Sequence, residues 1–172
     1  MDVLGIATLV LLTGLSLLIV PDIDAGNGLE PVILAAVSMP FVLATLVALR
    51  VKDAPVLWER SLLAVFLLLM PTVYLSSLAL HGGGAAWLTV EAVGQVLFAA
   101  VALIGWRSVP WVLAVGLAAH GLAWDAWHYG RSTFIADWYT IACMVVDVGC
   151  GTYALSRLPA WNAAVRAERA VA

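Results

Sequence analysis

The chain has 172 residues, of which 64% are hydrophobic and 11% are charged, and its formal net charge is -3. A soluble domain has about half apolar and a quarter charged residues, so this composition indicates an integral membrane protein. The sequence has no basic run with interleaved aromatic residues and no glycine-rich phosphate loop, which argues against nucleic-acid or nucleotide binding.

Six apolar segments are long enough to cross a bilayer, because about 20 apolar residues span a hydrocarbon core of about 30 Å. We therefore predict a single-domain, all-α bundle of six transmembrane helices. The first segment follows no basic region and precedes no small-residue cleavage site, so we interpret it as a retained span. The predicted spans are residues 3–20, 31–50, 61–80, 85–105, 110–129 and 136–156, followed by a cytoplasmic tail at 157–172.

The basic residues predict the orientation of these spans, since basic loops stay on the cytoplasmic side. If the N-terminus is cytoplasmic, seven of the eight basic residues lie inside and only Arg131 lies outside. We therefore predict a multi-pass protein of a bacterial-type inner membrane with both termini in the cytoplasm. In the tail, Leu158, Trp161 and Val165 recur at helical spacing, which favours a short helix on the inner leaflet or a frayed end.

Within the predicted spans, ionisable and strongly polar residues are concentrated in the fourth, fifth and sixth. A charged group at the bilayer centre costs about 2.5 to 3.5 kcal/mol, so such residues usually face the bundle interior and mark a working site. We therefore expect the functional site between the fourth, fifth and sixth helices. The residues concerned are Glu91, Gln95, His120, Asp125, His128, Asp137 and Asp147.

The leading hypothesis is a site near the outer face. Asp125 and His128 are three residues apart and share one helix surface, and Asp137 begins the next span. Imidazole and carboxylate groups suit Zn, Mn or non-haem Fe, and His81 in the neighbouring outer loop is a further candidate ligand. We predict that Asp125, His128 and Asp137 carry out metal-assisted or acid-base chemistry on an apolar, lipid-like substrate. A haem held by His81 and His128 is a weaker alternative.

A second pair of polar residues, His120 and Asp147, is predicted to lie deeper in the membrane. If spans five and six form an antiparallel hairpin, His120 lies level with Asp147, and small residues on the face around Asp147 allow close packing. With Glu91, this pair could act in a proton- or cation-linked small-solute transporter. It could equally join two helices in an accessory subunit of a membrane complex.

The aromatic residues between positions 124 and 139 fit either a substrate site or the belt of Trp and Tyr found at membrane interfaces. The expected partners are the lipid bilayer and an apolar or lipid-like small molecule, and a homo-oligomer or larger membrane complex is compatible with the composition. Whether the protein is an enzyme is left open by the sequence.

Overall fold

The computed structural model describes residues 56–171, which contain the last four predicted spans, whereas the predicted spans 3–20 and 31–50 lie outside the described residues. The described part is helical with short connections and contains no strand, which confirms the all-α class. Its elements are α1 (Val56–His81), α2 (Gly84–Arg107), α3 (Pro110–Ala119), a π-helical segment (His120–Asp125), α4 (Ala126–His128) and α5 (Asp137–Val171).

Three of these helices, α1, α2 and α5, are long and apolar enough to cross a membrane. This finding supports a membrane protein but does not support the predicted count of six spans. The predicted fifth span is helical from Pro110 to His128, but it is divided by the π-helical segment into pieces of different helix type. The predicted spans 61–80 and 85–105 correspond to helices that are longer by a few residues, and the predicted span 136–156 corresponds to α5, which continues to Val171.

Short connections make sequential helices pack side by side. Gly82, in the connection after α1, and Gly84, the first residue of α2, adopt left-handed backbone conformations in which a side chain would be strained. Pro110 begins α3 because its fixed φ suits the first helical turn and its missing N–H costs nothing there. Helix α1 packs on α2, α2 on α3, and α5 on both α3 and α1, so α5 closes the bundle.

The apolar core lies where α1, α3 and α5 meet. Leu67, Leu113, Leu117 and Cys150 have no exposed surface, and they belong to one cluster of buried side chains. Close packing here depends on glycine: a Cβ at Gly151 would lie 2.9 Å from the backbone nitrogen of Ala118. The backbones of α5 and α3 are therefore in direct contact, as the small residues of the sixth span predicted.

The C-terminal segment differs from the expected short interfacial helix. Helix α5 continues through Pro159 to Val171, so the residues assigned to a separate tail extend the last helix. Trp161 and Val165 are buried in the bundle, 0% and 5% exposed, rather than turned toward a lipid surface. Leu158, Trp161 and Val165 do lie on a helix, as their spacing predicts, but Trp161 and Val165 pack against the rest of the protein.

Candidate metal centre

Three ionisable side chains meet in the interior of the bundle, and we call them the triad: His120, Asp125 and Asp147. All three have 0% exposed surface. Nδ1 of His120 lies 2.7 Å from Oδ2 of Asp147 and 3.5 Å from Oδ1 of Asp125. One potential metal-ligand atom from each residue lies within 4.8 Å of the other two. The contact between His120 and Asp147 confirms the pair predicted from the hairpin.

Asp125 belongs to the triad because of the π-helical segment. In a regular α-helix, five residues turn the chain by about 500°, so Asp125 would point about 140° away from His120. The i→i+5 hydrogen bonding of a π-helix instead brings residue i+5 nearly over residue i. His120 and Asp125 begin and end this segment and are five residues apart. Asp125 therefore faces His120 and Asp147, and its predicted grouping with His128 and Asp137 is wrong.

Close approach of α5 completes the triad. A Cβ at Gly121 would lie 2.9 Å from Cβ of Asp147 and 2.9 Å from the backbone oxygen of Met144. The absence of a side chain at Gly121 thus allows Asp147 to approach the neighbouring His120. Single-turn π-helical insertions of this kind are frequent at functional sites.

Each triad residue carries a buried polar atom without a hydrogen-bond partner: Nε2 of His120, Oδ2 of Asp125 and Oδ1 of Asp147. A buried unsatisfied polar group costs about 1 to 3 kcal/mol, and most are avoided in folded proteins. Other such atoms in the described residues lie on side chains outside the triad, namely Arg60, Glu91, Trp124 and Trp138. The triad is distinctive because three unsatisfied residues converge.

Tyr74 of α1 also belongs to the site, although the sequence analysis missed it. Its hydroxyl donates a hydrogen bond of 2.6 Å to Oδ1 of Asp125, and the side chain is buried. The predicted site consists of His, Asp and Glu residues, and the third predicted span contains none of these. A tyrosine in the middle of an apolar span was nevertheless a usable signal, because a buried phenol usually requires an acceptor.

His128 pairs with Glu91 rather than with Asp125 or Asp137. Its Nε2 lies 2.7 Å from Oε1 of Glu91, and its Nδ1 lies 2.8 Å from the backbone oxygen of Trp124. A carbonyl oxygen can only accept, so Nδ1 carries a proton. The short contact to Glu91 then holds one further proton, and the pair is neutral overall whichever partner carries it. Five aromatic rings surround this imidazole: Tyr74, Trp87, Trp124, Trp127 and Phe134.

The two remaining predicted ligands lie elsewhere. Oδ1 of Asp137 accepts a hydrogen bond of 2.8 Å from the backbone N–H of Gly130, which ties the loop between α4 and α5 to the start of α5. His81 is exposed at the end of α1. The structure therefore does not bring Asp125, His128, Asp137 and His81 together. Both nitrogens of His128 are engaged, which also leaves none for the haem considered above.

Gln95 links α1 to α2. Its Nε2 donates to the backbone oxygen of Leu68 at 3.0 Å, and its Oε1 accepts from Oγ1 of Thr72 at 3.0 Å. These contacts lie beside Pro71, where the regular hydrogen bonding of α1 is interrupted. Gln95 is thus a polar contact between helices and does not reach the triad through any hydrogen bond of the described residues.

The triad suits a divalent transition-metal ion. Tetrahedral bonds of about 2.0 to 2.2 Å place neighbouring ligand atoms about 3.3 to 3.6 Å apart, and Nδ1 of His120 lies 3.5 Å from Oδ1 of Asp125. The contact of 2.7 Å between His120 and Asp147 has the length of a hydrogen bond and would open slightly around an ion. Two carboxylates and a neutral imidazole would balance the charge of a divalent ion, which favours its burial.

Comparison of the chain with models of protein families, with characterised proteins and with solved structures finds no match.

Proposed function

We propose that this chain is an integral membrane protein that binds a divalent transition-metal ion, Zn, Mn or Fe, at His120, Asp125 and Asp147. The single observation that carries the proposal is the convergence of three buried residues that each retain an unsatisfied polar atom. Carboxylate oxygens attract a cation, and imidazole favours a transition metal over Mg or Ca. An ion bound by one atom from each residue would neutralise the two carboxylates.

The ion would serve metal-assisted chemistry on an apolar, lipid-like substrate. A divalent ion supplies Lewis-acid polarisation of a carbonyl or phosphoryl oxygen. The protein's own residues would bind the ion, and the apolar surroundings would exclude water. Phe98 contributes to these surroundings, because its ring centroid lies 4.7 Å from that of His120. An apolar substrate suits a site that is enclosed by membrane-spanning helices.

A second candidate is a proton-linked transporter. The neutral pair of Glu91 and His128 shares a proton, and the ring of Tyr74 lies between it and the triad, at 4.5 Å from His128 and 6.1 Å from His120. Two proton-holding groups at neighbouring positions are typical of proton pathways in membrane proteins. An accessory subunit would have the same pairs but neither activity.

For the membrane orientation, we propose six spans in an inner membrane with cytoplasmic termini. Two hydrogen bonds support this orientation because they place basic residues at the same end of the described bundle. Arg157 donates to Glu59, and Arg169 donates to the backbone oxygen of Ser108. Single cysteines at Arg131 and Arg166, in a chain without Cys143 and Cys150, should react with impermeant reagents from opposite sides. Labelling of both from one side would contradict this orientation.

Metal titration tests the proposed function. The full-length protein is purified in detergent, stripped with a chelator and titrated calorimetrically with Zn²⁺, Mn²⁺ or Fe²⁺. We expect one ion per chain, and we expect Asp125→Asn and Asp147→Asn to weaken binding at least about 100-fold, because each removes a ligand charge. Asp137→Asn and His81→Ala are the controls and should bind like the wild type.

Absence of binding by the wild type would contradict the metal proposal, as would equal losses in the control variants. The transporter would then be favoured if proteoliposomes with the wild type accumulate protons and those with Glu91→Gln do not. If neither activity is found, the accessory-subunit interpretation gains support.

A further inference from the structure

We infer that Tyr74 is a positioning residue for the metal centre and that its hydroxyl fixes the orientation of the Asp125 carboxylate. The inference rests on the proposed function, because it concerns how one ligand of the triad is held. It adds a residue from α1 to a site whose ligands come from the π-helical segment and α5.

Tyr74 is itself held firmly. Its side chain has 0% exposed surface, and its ring contacts His120, His128 and Tyr139 with centroid distances of 6.1, 4.5 and 6.3 Å. Such edge and tilted contacts restrict the ring to one position. The hydroxyl of Tyr74 therefore provides a fixed donor, rather than one that follows the carboxylate as it moves.

The Asp125 carboxylate has few other restraints. Rotation about its terminal torsion is broad, so a carboxylate without hydrogen bonds adopts many orientations. Oδ2 has no hydrogen-bond partner, and Oδ1 lies 3.5 Å from Nδ1 of His120, which is longer than an ordinary hydrogen bond. The bond of 2.6 Å from Tyr74 is therefore the shortest hydrogen bond from a donor to this carboxylate among the described residues.

This arrangement determines how Asp125 can bind an ion. With the hydroxyl of Tyr74 on Oδ1, the carboxylate is held at one angle and favours binding through one oxygen. Without the hydroxyl, the carboxylate can rotate so that both oxygens contact the ion. Outer hydrogen bonds of this kind to metal ligands change affinity by about 10- to 100-fold when they are removed.

The test compares Tyr74→Phe with Tyr139→Phe, using Co²⁺ as the probe. Tyr139 is adjacent to Tyr74 but has no hydrogen bond to the triad among the described residues, so it is the matched control. We expect Tyr74→Phe to weaken Co²⁺ binding by about 10- to 100-fold. The visible absorption of bound Co²⁺ should also lose intensity, because coordination by both carboxylate oxygens raises the coordination number. Tyr139→Phe should change neither property.

A structural role alone would lower the melting temperature of the metal-free protein without changing the Co²⁺ spectrum. Wild-type affinity and spectrum in a folded Tyr74→Phe would overturn this inference while leaving the metal site in place. Failure of the wild type to bind Co²⁺ would overturn both. If Tyr74→Phe does not fold, 3-fluorotyrosine incorporation into the Tyr139→Phe protein provides the second measurement: its more acidic hydroxyl should strengthen binding, and an unchanged affinity would contradict the inference.

Discussion

Two buried carboxylate clusters occur along α5, and they are satisfied to very different degrees. In the first, which we call the Glu59 cluster, Glu59 accepts hydrogen bonds from Tyr153, from Nε of Arg157 at 3.0 and 3.1 Å, and from Nε1 of Trp161 at 2.8 Å. Arg157 also balances the charge. No acceptor atom of Glu59 is left without a donor.

The triad has the opposite character. Asp147 is paired with the imidazole of His120 and Asp125 accepts from the phenol of Tyr74, and each carboxylate keeps one unsatisfied oxygen. A fully satisfied buried cluster stabilises a fold, whereas each unpaired buried polar group costs free energy unless a partner binds it. Glu59 joins α1 to α5, whereas the triad is the proposed ligand site.

The largest effect on stability should follow from Glu59→Ala. This variant removes the acceptor of Tyr153, Arg157 and Trp161, and loss of one partner of a buried ion pair costs about 3 kcal/mol or more. We expect the free energy of unfolding to fall by about 3 kcal/mol in denaturant titrations in detergent. Metal should still raise the free energy of unfolding of this variant as much as that of the wild type. At a metal concentration of 100 times Kd the increase is about 2.7 kcal/mol. Loss of this metal response would show that the two clusters are not independent.

A smaller effect on stability, with a direct effect on the site, is expected for Gly121→Ala. The added Cβ would overlap the backbone oxygen of Met144 and Cβ of Asp147, so α5 must move away from the π-helical segment. Overpacking of this type costs about 2 kcal/mol, and metal affinity should fall because Asp147 moves away from His120. The measurements are thermal unfolding and metal titration.

The control for this variant is Gly105→Ala, whose Cβ would lie 2.5 Å from the backbone nitrogen of Leu113 at the other end of the bundle. It should reduce stability without changing metal affinity. If both glycine variants lose affinity equally, the contact at Gly121 has no special role in the triad.

The smallest effect is expected for Gln95→Leu. The variant removes the hydrogen bonds to Leu68 and Thr72, and polar contacts between membrane helices contribute about 0.6 kcal/mol on average. Metal affinity should be unchanged, and Val96→Leu on the exposed face of α2 should have no effect on either property. A loss of metal binding in Gln95→Leu would mean that the polar link between α1 and α2 takes part in the site.

The helical class and one half of the site followed from simple patterns. Hydrophobic length predicted the helices, and the symmetry of a hairpin placed His120 opposite Asp147. Both inferences rest on the length of a span and the rise per residue. An error of a few residues in where a helix ends therefore does not alter either inference.

The other half of the site depends on features that these patterns do not contain. Asp125 reaches the triad because one helical turn takes up an additional residue, and the regular periodicity that we assumed rotates this side chain away. The pairing of His128 with Glu91 depends on the packing of α2 against α4, which the spacing within one helix cannot determine. Tyr74 was missed because its role comes from the single hydrogen bond that it donates.

X-ray absorption spectroscopy of the protein loaded with Zn²⁺ tests the central claim most directly, because it reports which atoms contact the ion. The account predicts one Zn²⁺ per chain with nitrogen and oxygen neighbours at about 2.0 to 2.2 Å, including an imidazole, and the loss of this signal in Asp147→Asn. A sulfur neighbour at about 2.3 Å, or a hydrated ion without imidazole, would contradict a centre formed by His120, Asp125 and Asp147.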